Sequence, residues 1–239
     1  MSGRVEKAYG SLLKCMRYAV DPFKKALIVT ECKVHCFINM QALEIIKADE
    51  YQDAYMFFSD YAVQLNEGVI WADQNLKSMG HFYNPYSDNG LYGNTDAVSL
   101  ASEYYQKALF YWENQDPENS IFYLGASLHL VQDVTVPHHA NIRLLDNHRR
   151  FEDFVRRTYQ KSLDYKVSYG GYYYMKTIEE AVRCNAHNAI RIYSRLQKIE
   201  DEEKRYEAIT KFTLPLAQRT TAGCLVMFYR KISGGMKLD

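Results

Sequence analysis

Two residue pairs constrain this chain more than any other feature: His129 with Asp133, and His148 with Glu152, each a carboxylate four residues after an imidazole. On a helix, positions i and i+4 project from one face, so each pair offers a nitrogen and an oxygen to the same point. Both fall within residues 122–152, which hold four of the seven histidines. Between them, Val136-Pro137-His138-His139 breaks the helical pattern at Pro137. An unpaired buried carboxylate is costly, so a fold that turns Asp133 inward must bring a cation to it. Two helices with inward histidine–carboxylate pairs, joined by further histidines, read as a multinuclear metal site.

The rest of the chain supports a helical setting. Its 239 residues suffice for one sizeable core without staples. Few prolines and abundant Ala, Leu, Glu, Lys and Gln favour helix. Apolar spacing predicts helices over 5–18, 22–48, 51–71, 97–113, 119–134, 147–163, 177–196 and 206–232. Gly125 and Ala126 are small enough for a neighbouring helix to approach closely. Residues 74–96, rich in Gly, Asn, Ser and Tyr, form a long loop of the kind that is commonly functional. Residues 165–176, with Gly-Gly and three adjacent tyrosines, read as a surface loop, with contact to a lipid interface as the alternative. Arg149, Arg150, Arg156 and Arg157 read as an ordinary solvated face. With no repeat and no linker, the expectation is an all-α, single-domain, multi-helix protein over 1–239.

Charge and cysteine usage exclude several classes. Basic and acidic residues number 29 each, a formal net charge of zero, so nothing favours a nucleic-acid partner. No apolar run approaches the roughly 20 residues of a membrane span. The five cysteines are odd in number and unclustered, which fits reduced thiols. The opening residues lack an uninterrupted apolar stretch and a small-residue cleavage site. A cytoplasmic monomer is therefore expected, with secretion by a non-standard route as the alternative.

Imidazole nitrogens and carboxylate oxygens without a thiolate cluster are the donors zinc prefers. A ferritin-like di-iron site would show Glu-x-x-His on bundle helices. Here histidine comes first and the spacing is one residue longer, which favours a zinc hydrolase. Taken alone, His35 reads as a satisfied core histidine, His81 as an exposed loop histidine, and His187 as structural or exposed.

Leu124-Gly125, Leu128-His129, Asp133, Pro137, His139 and Asn141, followed by His148 and Glu152, match an ordered pattern. It resembles that of the zinc-dependent phospholipase C family, the bacterial phosphatidylcholine-cleaving enzymes, whose all-α fold is shared with the S1/P1 nucleases. Upstream, GVIWAD ending at Asp73, HFYNP beginning at His81 and VHCFINMQAL around His35 are similar to the family's other ligand segments. Near the C-terminus, AQRTTAG over 217–223 is similar to a further signature, so the resemblance covers about 29–229.

The resemblance implies two to three zinc ions per chain in a phosphodiesterase site. Asp73, His81, His129 and Asp133 would hold the first and His139, His148 and Glu152 the second. His35 and Asp133 would hold the third, with Asp133 bridging. Asp73 would orient or deprotonate the attacking water, and His138, one residue out of register, would lie beside the site or be exposed. The products would be diacylglycerol and a phosphorylated head group, with transient contact at a membrane surface. Two alternatives stand beside this: an S1/P1-like nuclease or nucleotidase, and a non-catalytic zinc-binding protein of the same fold. The family's secreted enzymes complete the third position with an N-terminal tryptophan. The tryptophans here are Trp71 and Trp112, so either Glu31 or Cys32 substitutes as a ligand or the third zinc is weak or absent. Aromatic residues that help enclose choline in the family are replaced by Gln74 and Ser78, so a choline preference does not carry over.

Overall fold

The computed structural model describes residues 32–74, 80–90, 96–142 and 148–234. The expected helix over 5–18, the start of that over 22–48, Glu31 and Ser78 lie outside them. Nine α-helices occur among the described residues: α1 Lys33–Ala48, α2 Gln52–Asp60, α3 Ala62–Ala72, α4 Ala97–Glu113, α5 Pro117–Asp133, α6 Pro137–Ala140, α7 His148–Thr158, α8 Ile178–Leu196 and α9 Glu202–Ser233. The extended pairing described is one isolated bridge, Asn84 with Asn89. The all-α expectation holds.

The spine is α5. Asp116 caps it by accepting from Asn119 N–H at 3.1 Å, and Pro117 occupies the first turn, where no N–H is needed. Apart from Phe122, its residues from Ser120 to Asp133 are buried, as befits a helix enclosed on all sides. Ala126, Leu128, Leu130 and Val131 join the main core with Leu65 of α3, Ala101 of α4 and Ala186 of α8. Gly125 and Gly68 bring α5 and α3 together so closely that a Cβ at either would strike the other helix's backbone. α5 stops because Val136, preceding Pro137, is held extended at ψ 121°. The chain then restarts as the single turn of α6, with Pro137 at its beginning.

Three boundaries differ from expectation. The helix over 51–71 is two, broken at Tyr61 (φ −105°, ψ 17°) without a glycine or proline. There Phe57 packs on Tyr61, Trp112 and Tyr229 at 5.2–5.6 Å, so tertiary packing sets the break. The helix over 147–163 ends at Thr158, and a 3-10 turn at Leu163–Tyr165 buries Tyr165 against Ile38, Leu214 and Ala217. α9 starts before residue 206, within the charged stretch that reads as a separator. Asp201 accepts from Lys204 N–H at 2.9 Å, and Glu202 and Glu203 complement the positive helix end.

Candidate metal centre

Asp133, the last residue of α5, sits at the centre of the site with its side chain 8% exposed. One oxygen faces His35 Nε2 at 3.3 Å. The other faces His81 Nδ1 at 2.7 Å, His129 Nε2 at 3.2 Å and His139 Nδ1 at 3.6 Å. Four imidazoles around one carboxylate cannot all be charged. Burial would raise the Asp133 pKa, but His129 and His139 outweigh it and hold the group well below the usual carboxylate range. Burial opposes a charge on His35 too, yet the Asp133 hydrogen bond and charge lift it to about 9. Burial prevails at His129, whose pKa is lowered.

Donor atoms gather in three groups, each within 4.8 Å: His35, His129 and Asp133; Asp73, His81 and His129; His139, His148 and Glu152. In the last, His148 Nε2 lies 2.8 Å from both Glu152 Oε1 and His139 Nε2. Burial would raise Glu152, but hydrogen bonds from His139 and His148 pull its pKa below the ordinary value. The N/O donor set and its clustering fit zinc.

Three of the histidines have a structural cause for their placement. His35 rides on α1, and its Nδ1 meets Gln132 Oε1 at 2.9 Å. Gln132 Nε2 donates to Asn39 Oδ1 at 2.8 Å and Thr221 Oγ1 at 3.2 Å, which fixes the amide and assigns the proton to His35 Nδ1. Nε2 is thereby left for a metal. His139 Nδ1 faces the His81 carbonyl at 3.4 Å, and its ring stacks on Phe82 at 4.8 Å with planes 6° apart. The loop histidine is placed by its neighbours: Tyr83 N–H donates to the His139 carbonyl, and Ala97 N–H to the Phe82 carbonyl. His81 is therefore buried at 2% exposure, not an exposed loop residue.

Cys32 Sγ donates to Asp73 Oδ2 at 2.9 Å, and burial followed by the Asp73 charge pushes its thiol pKa far up. Its side-chain hydrogen-bond partner among the described residues is thus Asp73. Gln74 is half-buried beside it. His138 is buried, not exposed, with its ring against His148, Phe151 and Tyr193. His187 is exposed against Tyr86. Gln132, Asn39 and Thr221 escape sequence reading, although Thr221 lies in the AQRTTAG segment. That segment is a hub: Gln218 bonds the backbone of Tyr165 and Val167, Arg219 that of Gly170 and Gly171, and Thr220 the Asn185 side chain.

The site floors a cleft of about 480 Å³, with Val34, Ile38, Val136, Val155 and Leu214 among its walls and Arg149 and Arg156 also lining it. Another cleft, of about 500 Å³ between α7 and α9, is lined by Arg150, Asp153, Arg156, Arg157, Glu202 and Glu203 with Phe154 and Tyr206.

The model of the family described as zinc dependent phospholipase C matches residues 34–209. The chain belongs to the zinc-dependent phospholipase C family. A phospholipase C of Bacillus cereus is 29% identical over 157 residues, covering 59% of this chain and 54% of that protein. One of Clostridium perfringens (strain 13 / Type A) is 24% identical over 219 residues, covering 81% and 52%. This chain therefore spans about half the length of the curated relatives it matches. The fold is similar to the alpha toxin of Clostridium absonum (TM-score 0.73, 19% identity, 86% of this chain and 65% of that one). It is also similar to the alpha-toxin of Clostridium perfringens from avian strain SWCP (TM-score 0.72, 20% identity, again 86% and 65%). No nuclease is among these relatives.

The comparisons correct the expectation of a cytoplasmic protein. Two of the solved structures of similar fold are alpha toxins, which counts against the cytoplasmic expectation. That expectation was read from the opening residues, which lie outside the described ones. Among the described residues, no helix is long and apolar enough to cross a membrane.

Proposed function

We propose that this chain is a single-domain, monomeric, zinc-dependent phospholipase C-type hydrolase. It cleaves a phospholipid to diacylglycerol and a phosphorylated head group during transient contact with a lipid surface. The observation that carries the reading is Asp133, whose two oxygens face different imidazoles on the floor of a partly apolar cleft. Two to three zinc ions, held by Asp73, His81, His129 and Asp133, by His139, His148 and Glu152, and by His35 with Asp133, would supply the Lewis acidity that acidifies water and polarises phosphodiester oxygens.

The chain's own groups do the rest. Asp73 is the candidate to orient or deprotonate the attacking water, because its side chain is 33% exposed at the cleft and the Cys32 thiol holds one of its oxygens. Gln132 keeps His35 in the tautomer that turns Nε2 toward Asp133. The apolar wall formed by Val34, Ile38 and Leu214 suits the glycerol backbone and the first acyl carbons, while the phosphate lies over the ligand cluster.

Hydrolysis of bis-nitrophenyl phosphate by zinc-loaded protein tests the chemistry. Parallel assays on phosphatidylcholine, phosphatidylglycerol and single-stranded DNA test the substrate. Loss of activity on chelation and its return with zinc are expected, with lipid cleaved and DNA left intact. Absence of zinc-dependent turnover would leave a non-catalytic zinc protein, and DNA cleavage without lipid cleavage would leave a nuclease.

A further inference from the structure

Four arginines stand on α7, and they are not equivalent. Arg150 pairs with Glu202 at 3.6 Å, Arg156 with Asp153 at 3.1 Å and Arg157 with Glu203 at 4.0 Å. These pairs are spent within α7 or on the seam to α9. Arg149 makes no ion pair with a carboxylate among the described residues, is exposed, and lines the metal cleft next to the ligand His148. Arg156 also lines the cleft, with one of its nitrogens engaged by Asp153. Among the described residues, the carboxylates on the cleft wall are Asp73, Asp133 and Glu152, all proposed metal ligands, so none of these is left to receive a cationic head group.

Among the described residues, the aromatic rings lining the cleft do not fill that gap. Phe82 gives a face to the His139 ring at 4.8 Å, and Phe151 is 1% exposed among His138 and Tyr206. A quaternary ammonium needs open aromatic faces around it, and neither phenylalanine offers one. A guanidinium at the mouth instead attracts hydroxyl, carboxylate and phosphate oxygens and repels an ammonium group.

We propose that Arg149, seconded by Arg156, sets the head-group specificity of this cleft toward anionic glycerophospholipids, those with no cation to offset the phosphodiester charge, and against choline lipids. This rests on the hydrolase reading above and adds the substrate class.

The test uses the full zinc-loaded chain with phosphatidylglycerol or phosphatidylcholine dilute in neutral detergent micelles, so that surface charge does not gather the enzyme. The wild-type ratio of kcat/KM, phosphatidylglycerol over phosphatidylcholine, is expected to be about fivefold or more, the scale of one basic residue beside an anionic lipid. Arg149→Lys retains most of that ratio, and Arg149→Glu brings it to one or below. Binding gives a readout independent of turnover. Sedimentation of the metal-free chain with phosphatidylglycerol-containing vesicles is expected to weaken about fivefold in Arg149→Glu, with phosphatidylcholine vesicles unaffected. A wild-type ratio at or below one, or equal ratios and equal vesicle binding in wild type and Arg149→Glu, would overturn the inference. A chain that cleaves bis-nitrophenyl phosphate without preferring phosphatidylglycerol defeats the head-group inference alone. A chain inert toward both defeats the hydrolase reading, and the vesicle measurement still decides the role of Arg149.

Discussion

The deep and shallow halves of the site are built differently. The deep half hangs on Asp133, from a helix buried on all sides, with four imidazoles within 3.6 Å and a side chain 8% exposed. The shallow half joins His139, on the one-turn α6, to His148 and Glu152 on the half-wet α7, and Glu152 is 38% exposed. A ligand fixed by a core cannot drift without unfolding it. One at the rim has only its own hydrogen bonds to hold it. Deep ligands should therefore tie metal to stability, and rim ligands should tie metal to activity alone.

Breaking the deep half has the largest expected effect. Asp133→Asn removes the carboxylate shared by His35 and His81, so activity falls by roughly a hundredfold or more. Zinc content drops, and the gain in Tm that zinc gives the wild type shrinks. Glu152→Gln should lose zinc from one group and most activity while keeping most of that gain. Elemental analysis and a melting curve on each variant separate the two, and equal losses of thermal protection would erase the distinction between halves.

Gln132→Ala comes next. With the Nδ1 partner gone, His35 can turn, and activity should fall about ten- to a hundredfold with His139-group zinc retained. A pair of neighbours sharpens the register: His139→Ala should lose metal, whereas His138→Ala should retain it and lose stability, because that ring packs in the core. Reversed outcomes would show the register of the two histidines to be shifted by one.

A pH effect distinguishes the metal-free protein from the loaded one. The raised His35 pKa contributes stability that is complete below about 6.5 and is lost as pH rises through about 9. Zinc takes the neutral imidazole, so the loaded protein should show no such loss. Melting curves across that range check this, and parallel profiles for the two forms would refute it. Gly125→Ala, remote from the site, should cost about 1–3 kcal/mol by forcing α3 and α5 apart, read as a lowered denaturation midpoint.

What was legible in the sequence follows the same division. His129/Asp133 and His148/Glu152 are read from helical spacing because both members sit on one element. Distant ligands were invisible to spacing: His35 looks like a core residue and His81 like a loop residue until α1 and the loop after α3 close over Asp133. They were reached through the ordered resemblance. Gln132, Asn39 and Thr221 belong to three helices, and only their meeting makes a network. Arg149 hid among four similar arginines, because what distinguishes it is the carboxylate partner that, among the described residues, only the others have. The break at Tyr61 left no sequence mark, since it is made by rings from α2, α4 and α9.

The most direct test is zinc stoichiometry measured together with turnover of bis-nitrophenyl phosphate. The three donor groups predict two to three zinc ions per chain, with hydrolysis that vanishes on chelation and returns with zinc. Fewer than two zincs per chain, or full loading without hydrolysis, would contradict a multinuclear zinc phosphodiesterase.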